Sequence, residues 1–253
     1  LLTSTKGSIL KRTLTLHSLS SSFSASRIVR IANRMRVLLL DGHPDENRFS
    51  SHLLQQYEDA LPQGTIANRI AVRDMEFSPI LRFGYAKRVE WEPDVANLAK
   101  QIDECDHLVV SFPMWWGSEP AELKGLLDRV LLPGFAFAYH SDDPWWDKLM
   151  EGRSADVIAT MDTPPFFLRL SYGNALIKRW KRQILGFCGF KPVRFLACGP
   201  IKHGNAEKHA DKWEKQIQRL ARSIRIASED KKQLRLETFL NRKNAPSASR
   251  FNQ

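Results

Sequence analysis

The chain has little cysteine, no nucleotide-binding glycine motif and no long apolar run, and each shortage excludes something. Its 253 residues contain three cysteines, Cys105, Cys188 and Cys198, in no CxxC or metal-ligand spacing. They read as buried free thiols in a reducing compartment. Neither GxxxxGK[ST] nor GxGxxG occurs anywhere, so a nucleoside triphosphate cradle and a Rossmann dinucleotide turn are not supported. The longest uncharged apolar runs fall far short of a membrane span, which excludes an integral membrane segment. Residues 1–34 contain no Asp or Glu.

The charge that is present lies at the ends. The formal net charge is +10, of which residues 1–34 carry +6 and residues 230–253 carry +4, so residues 35–229 are neutral. A nucleic-acid face would place its basic excess in the folded part; solvated tails are expected here, and no nucleic-acid partner. The Ser-, Thr-, Leu- and Arg-rich stretch 1–34 has the composition of an organelle transit peptide. The favoured reading is upstream sequence ahead of a natural start at Met35, and the stretch is set apart as a disordered or non-native leader. Residues 35–228 form the folded domain and 229–253 a basic polar tail. A cytoplasmic location is expected, or an organelle if the leader is genuine.

Within 35–228, strand and helix patterns alternate. "RVLLLDG" (36–42), "TIANRIAV" (65–72), "HLVVSF" (107–112), "SADVIATM" (154–161) and "KPVRFLAC" (191–198) read as strands. Helical spacing follows in 50–61, from Pro93 to Glu104, in 123–131, around 173–187 and in 213–224. Five strand–helix units in series imply an α/β fold with a parallel sheet covered by helices on both faces. Ligands of such sheets bind at the carboxyl ends of the strands. The chemistry is therefore expected in the loops after the first, third and fourth strands.

The first loop, "DGHPDENRFSSHLL" (41–54), opens a helix near Ser50, and a helix N-terminus attracts phosphate. His43, Asn47 and Ser50 add side-chain donors. In the second, "FPMWWGSEPAELKG" (112–125), Pro113 ends the strand, Ser118 is positioned to cap the next helix, and Met114, Trp115, Trp116 and Gly117 cross the top of the sheet. Backbone amides there suit the edge of a planar heteroaromatic ligand, and the indoles suit its face. The third, "TMDTPPFF" (160–167), offers Thr160, Asp162 and Thr163. Each loop taken singly is also compatible with an ordinary turn or with packing.

Taken together, "VLLLDGHPDENRFSSHL", "FPMWWGSEPAELKGLLDRVLLPGFAFAY" and "ILGFCGFKPV" resemble the flavodoxin-fold NAD(P)H:quinone oxidoreductase family. The resemblance spans about residues 35–225 and is carried chiefly by P-x-W-W-x-x-x-P-A-x-L-K-G. It implies a flavodoxin-like, doubly wound five-stranded sheet of order 2-1-3-4-5. It implies an enzyme that passes hydride from NADH or NADPH through a bound flavin to a quinone or similar acceptor. FMN is the expected flavin because no adenosine lobe is evident, with FAD the alternative. By resemblance, His43 and the 47–50 turn hold the phosphate and ribityl chain, and Phe49 anchors that turn. Pro113, Met114, Trp115, Trp116 and Gly117 line the ring, and Thr160, Met161, Asp162 and Thr163 approach its pyrimidine edge. The larger quinone reductases carry Thr-Thr-Gly-Gly where Met161, Asp162, Thr163 and Pro164 follow here. They also carry a Tyr and a His beyond it. No histidine lies between His140 and His203, and Tyr172 is the remaining candidate proton donor, with a buried packing role as its alternative. A homodimer is implied, with His140, Trp145 and Trp146 at the substrate pocket or the subunit interface. The rival reading is a regulatory flavoprotein docked on a potassium-efflux transporter.

Overall fold

A computed structural model describes residues 34–225; the expected leader and basic tail fall outside the described residues, apart from the leader's last residue. Five parallel strands form the central sheet: β1 (Arg36–Asp41), β2 (Ile66–Ala71), β3 (His107–Pro113), β6 (Ser154–Thr160) and β7 (Val193–Cys198), in the order β2-β1-β3-β6-β7. In parallel-strand numbering this is the expected 2-1-3-4-5 arrangement. All seven residues of β3 are buried, as a central strand covered on both faces requires. In β1 the side chains alternate between the two cores. Leu38 and Leu40 join one cluster and Val37 and Leu39 the other.

The second face is covered by α1 (Phe49–Asp59) and α7 (Asn205–Arg222), through Leu53, Leu54, Tyr57, Trp213 and Ile217. The first is covered by α2 (Pro93–Glu104) and α3 (Ala121–Val130), through Val95, Leu98, Leu123 and Leu126. All three thiols are buried, and burial pushes those of Cys188 and Cys198 up to about 12.

Two local expectations change and one element is new. Residues 173–187 do not form one regular helix. They divide into α5 (Ala175–Lys178), a π-helical segment (Arg179–Ile184) and α6 (Leu185–Cys188). The wide turn brings the Lys181 carbonyl oxygen to 2.3 Å from where a Cβ on Gly186 would stand, so glycine is needed there. Second, the aromatic stretches around 137 and 146 pair as a small antiparallel hairpin, β4 (Phe137–Tyr139) with β5 (Trp146–Lys148). Third, Ser118 does not cap α3, whose N-cap is Pro120. A short α4 (Pro165–Leu170) also follows β6.

Candidate functional site

The loop after β1 is fixed by a buried carboxylate. Asp41 is fully buried at the end of β1. It accepts hydrogen bonds from Ser51 Oγ (3.0 Å), Arg69 Nη2 (2.9 Å), Arg73 Nη1 (3.1 Å) and the His43 amide (3.3 Å). Burial alone would raise its pKa; the arginines, Ser51 and the His43 amide outweigh that and hold it below the usual carboxylate range. Because Ser51 lies in the first turn of α1, the same carboxylate locks the start of that helix to the sheet.

The start of α1 carries unpaired donors of the kind an anion requires. The first bond across its end runs from the His52 amide to the Arg48 carbonyl, at 2.9 Å. The amides of Phe49, Ser50 and Ser51 are left unspent at the positive end of the helix. Beside them Ser50 is 1% exposed, and its Oγ has no hydrogen-bond partner among the described residues. An orphaned buried hydroxyl with free amides around it fits the phosphate of a flavin nucleotide. Phe49 packs between His52 and Trp213, with ring centroids 6.1 and 5.8 Å away, which anchors the turn. Asn47 takes a left-handed conformation (φ 53°) just before it.

The loop after β3 is a tight turn with paired backbone bonds. The Trp115 amide donates to the Ser118 carbonyl (2.8 Å) and the Ser118 amide to the Trp115 carbonyl (3.0 Å). Trp116 and Gly117 occupy the two central positions with φ of 51° and 77°, as a mirror-image type I turn demands. Trp116 is fully exposed and Trp115 about half exposed. Pro113 is the last residue of β3 and is buried. The Met114 amide is spent on the Thr160 carbonyl, at 2.7 Å. The free backbone donors of this loop are therefore those of Trp116 and Gly117, fewer than the run 113–117 suggests.

That Met114 bond joins the second loop to the third, and the ring contact of His43 with Trp115, 5.7 Å between centroids, joins the first to the second. Thus the three strand ends meet at one rim. Within the third loop Thr160 and Met161 are buried, and Met161 gives its amide to the Cys198 carbonyl (2.9 Å). Met161 belongs to the apolar core, so it supports the rim from below. Asp162 is exposed and pairs with Lys202 at 2.7 Å. Asp162 and Thr163 keep their amides free. Tyr172 is 58% exposed and meets Phe167 edge to face; the expectation of a buried tyrosine is overturned, because α4 sends Leu168 into the core while the turn after it, residues 171–173, is exposed.

His140 is held by Asp143 (2.9 Å) and Asp147 (3.2 Å), which raise its pKa. Trp145 is exposed, while Trp146 stacks on Phe187 and donates to its carbonyl at 3.0 Å. Sequence reasoning missed Arg69 and Arg73, and also Glu119 and Arg179 beneath the second loop. For the first two a signal existed: an acid closing an apolar strand, as in "VLLLD", calls for cationic partners.

A flavodoxin-like sheet whose first, third and fourth strand ends converge on an anion-binding helix start defines a class of nucleotide-binding α/β proteins. The chain belongs to the Flavodoxin-like fold family, whose model matches residues 35–223. It is similar to an FMN-dependent NADH:quinone oxidoreductase of Cereibacter sphaeroides, 28% identical over 183 residues, which are 72% of this chain and 85% of that one. It is similar also to NAD(P)H dehydrogenase (quinone) 1 of Cavia porcellus, 25% identical over 217 residues, covering 73% of this chain and 77% of that one. Among solved structures, Smu.1420 of Streptococcus mutans superimposes with a TM-score of 0.65 at 26% identity, over 75% of this chain and all of that one.

Proposed function

We propose that this chain is an FMN-dependent NAD(P)H:quinone oxidoreductase. The observation that carries the reading is the single rim at which the orphaned Ser50 hydroxyl, the free amides of α1 and the two loops after β3 and β6 come together. The named activities of the Cereibacter sphaeroides and Cavia porcellus relatives support it.

When bound, FMN would supply the two-electron chemistry by which one hydride from NAD(P)H and one proton from solvent convert a quinone to its hydroquinone. The protein's part is binding and orientation. Ser50 and the amides of Phe49, Ser50 and Ser51 hold the phosphate. His43 and Trp115 wall the rim on the β1 side. The amides of Trp116, Gly117, Asp162 and Thr163 are the donors available to the polar edge of the ring, and donors fixed in advance favour negative charge that develops there. Tyr172, exposed just after α4, is the candidate proton donor. The exposed Tyr139 and Trp145 on and beside the small hairpin support a symmetric homodimer.

Purification of the full chain and mass analysis of any yellow cofactor test the reading, followed by anaerobic titration with NADH and with NADPH. Bound FMN that bleaches with either nicotinamide and recovers its colour on addition of a quinone is the expected result. A colourless protein that takes up no FMN overturns it. Bound flavin that neither nicotinamide reduces supports the regulatory flavoprotein instead.

A further inference from the structure

An ion pair that the proposed chemistry does not use sits directly beneath the two tryptophans. Glu119 is buried, and its Oε2 accepts from Arg179 Nη2 and from Trp180 Nε1, the latter at 3.1 Å. The same Nη2 of Arg179 donates to Ser118 Oγ at 3.0 Å. Arg179 is the first residue of the π-helical segment, a widened turn of the kind often found at functional sites. Glu119 Oε1 has no partner among the described residues.

A buried carboxylate with half its acceptor capacity unmet is a poor way to stabilise a fold. The attested use of such a pair is to select one conformation. The conformation it can select here is that of the turn at 115–118. Trp116 is fully exposed and left-handed at φ 51°, so no packing of its indole holds it there. A non-glycine residue keeps that geometry only when its surroundings impose it. Among the described residues, the turn is held by the two bonds between Trp115 and Ser118, by the His43 ring against Trp115 and by Arg179 on Ser118 Oγ.

We infer that Glu119 and Arg179 are positioning residues for this turn: Glu119 fixes the guanidinium, the guanidinium grips Ser118, and Trp116 and the free amides of Trp116 and Gly117 are thereby held at the rim. The consequence for flavin binding rests on the proposed function; the latch itself does not.

The experiment compares wild type with Ser118→Ala, Arg179→Lys and the double variant. Ser118 is only half buried, so Ser118→Ala tests the latch without disturbing the buried carboxylate. Two quantities are read: hydrogen exchange of the Trp115 and Ser118 amides in cofactor-free protein, and the Kd for FMN by fluorescence quenching. The melting temperature serves as control. Each single variant is expected to speed exchange at those two amides about tenfold and weaken FMN about three- to tenfold, as loss of a charge-assisted hydrogen bond implies. The double variant is expected to add little to either, because both changes break one contact. Wild-type exchange rates in both single variants, or fully additive effects, overturn the inference. A wild-type protein that binds no FMN overturns the proposed function, and the exchange rates then decide on the latch alone.

Discussion

The rings of His43 and Trp115 stand edge to face, with centroids 5.7 Å apart and planes at 83°. The contact ties the loop after β1 to the loop after β3 and removes water from one side of the imidazole. His43 Nδ1 accepts the Asp45 amide hydrogen at 3.0 Å, so the neutral ring carries its proton on Nε2. Burial pushes the pKa of this histidine down, against the opposing pull of Asp41. An NMR titration of His43 should therefore give a midpoint below the ordinary value of about 6.5, and Trp115→Ala should return it upward. A midpoint that ignores the loss of Trp115 would show that the indole is not what dries the ring.

Ser50 gives a sharper test of the phosphate site. Its Oγ is buried without a partner, so Ser50→Ala removes no hydrogen bond from the fold and should leave the melting temperature unchanged or slightly higher. The variant should lose about 1.5–3 kcal/mol of FMN affinity, the worth of a hydrogen bond to a charged group. Riboflavin, which has no phosphate, should bind wild type and variant alike. Equal losses for FMN and riboflavin would move the phosphate away from Ser50.

How far these features could be read from the sequence depended on range. "RVLLLDG" and "HLVVSF" are legible because strands covered on both faces are apolar without interruption. The rim follows, since parallel topology brings successive carboxyl ends together. The hairpin of Phe137 with Lys148 escaped notice because its three-residue strands show no period. The break at Arg179 depends on Gly186 leaving room, where a Cβ would stand, for the Lys181 carbonyl oxygen five residues back, which no hydrophobic pattern records. Glu119 and Arg179 are 60 residues apart, and nothing local in either neighbourhood names the other. Tyr172 was misplaced because α4 exposes Phe166, Phe167 and Leu170 around it, an arrangement that apolar composition alone reads as core.

Gly199 supports the third loop through its lack of a side chain. A Cβ there would stand 2.6 Å from the Met161 oxygen, 2.7 Å from Met161 Cγ and 2.9 Å from the Thr163 oxygen. Two of these atoms are backbone of the rim itself, so Gly199→Ala must push the 161–163 segment outward. The expected cost is about 1–3 kcal/mol of stability, as for overpacking, together with weaker FMN binding. Urea denaturation and FMN titration of the variant measure both. Unchanged binding at reduced stability would detach this loop from the flavin.

Asp156 lies far from the rim chemistry and sets the acid limit of the fold. It is fully buried in β6, accepts from Arg194 Nε at 2.6 Å and from Tyr57 Oη at 2.7 Å, and lies 3.3 Å from His107 Nε2. Burial by itself would raise its pKa; His107 and Arg194 outweigh burial and lower it. A carboxyl whose pKa is depressed by folding stabilises the fold fully above its unfolded value, about 3.9, and that contribution is lost as the pH falls through the folded value. Asp156→Asn should thus cost about 3 kcal/mol at pH 7, the lower end for removing one partner of a buried pair. The gap between the urea midpoints of wild type and variant should hold from pH 7 down to about 4 and narrow below about 3.9. A gap that already closes between pH 7 and 5 would mean that the Asp156 carboxylate does not set the acid limit of the fold.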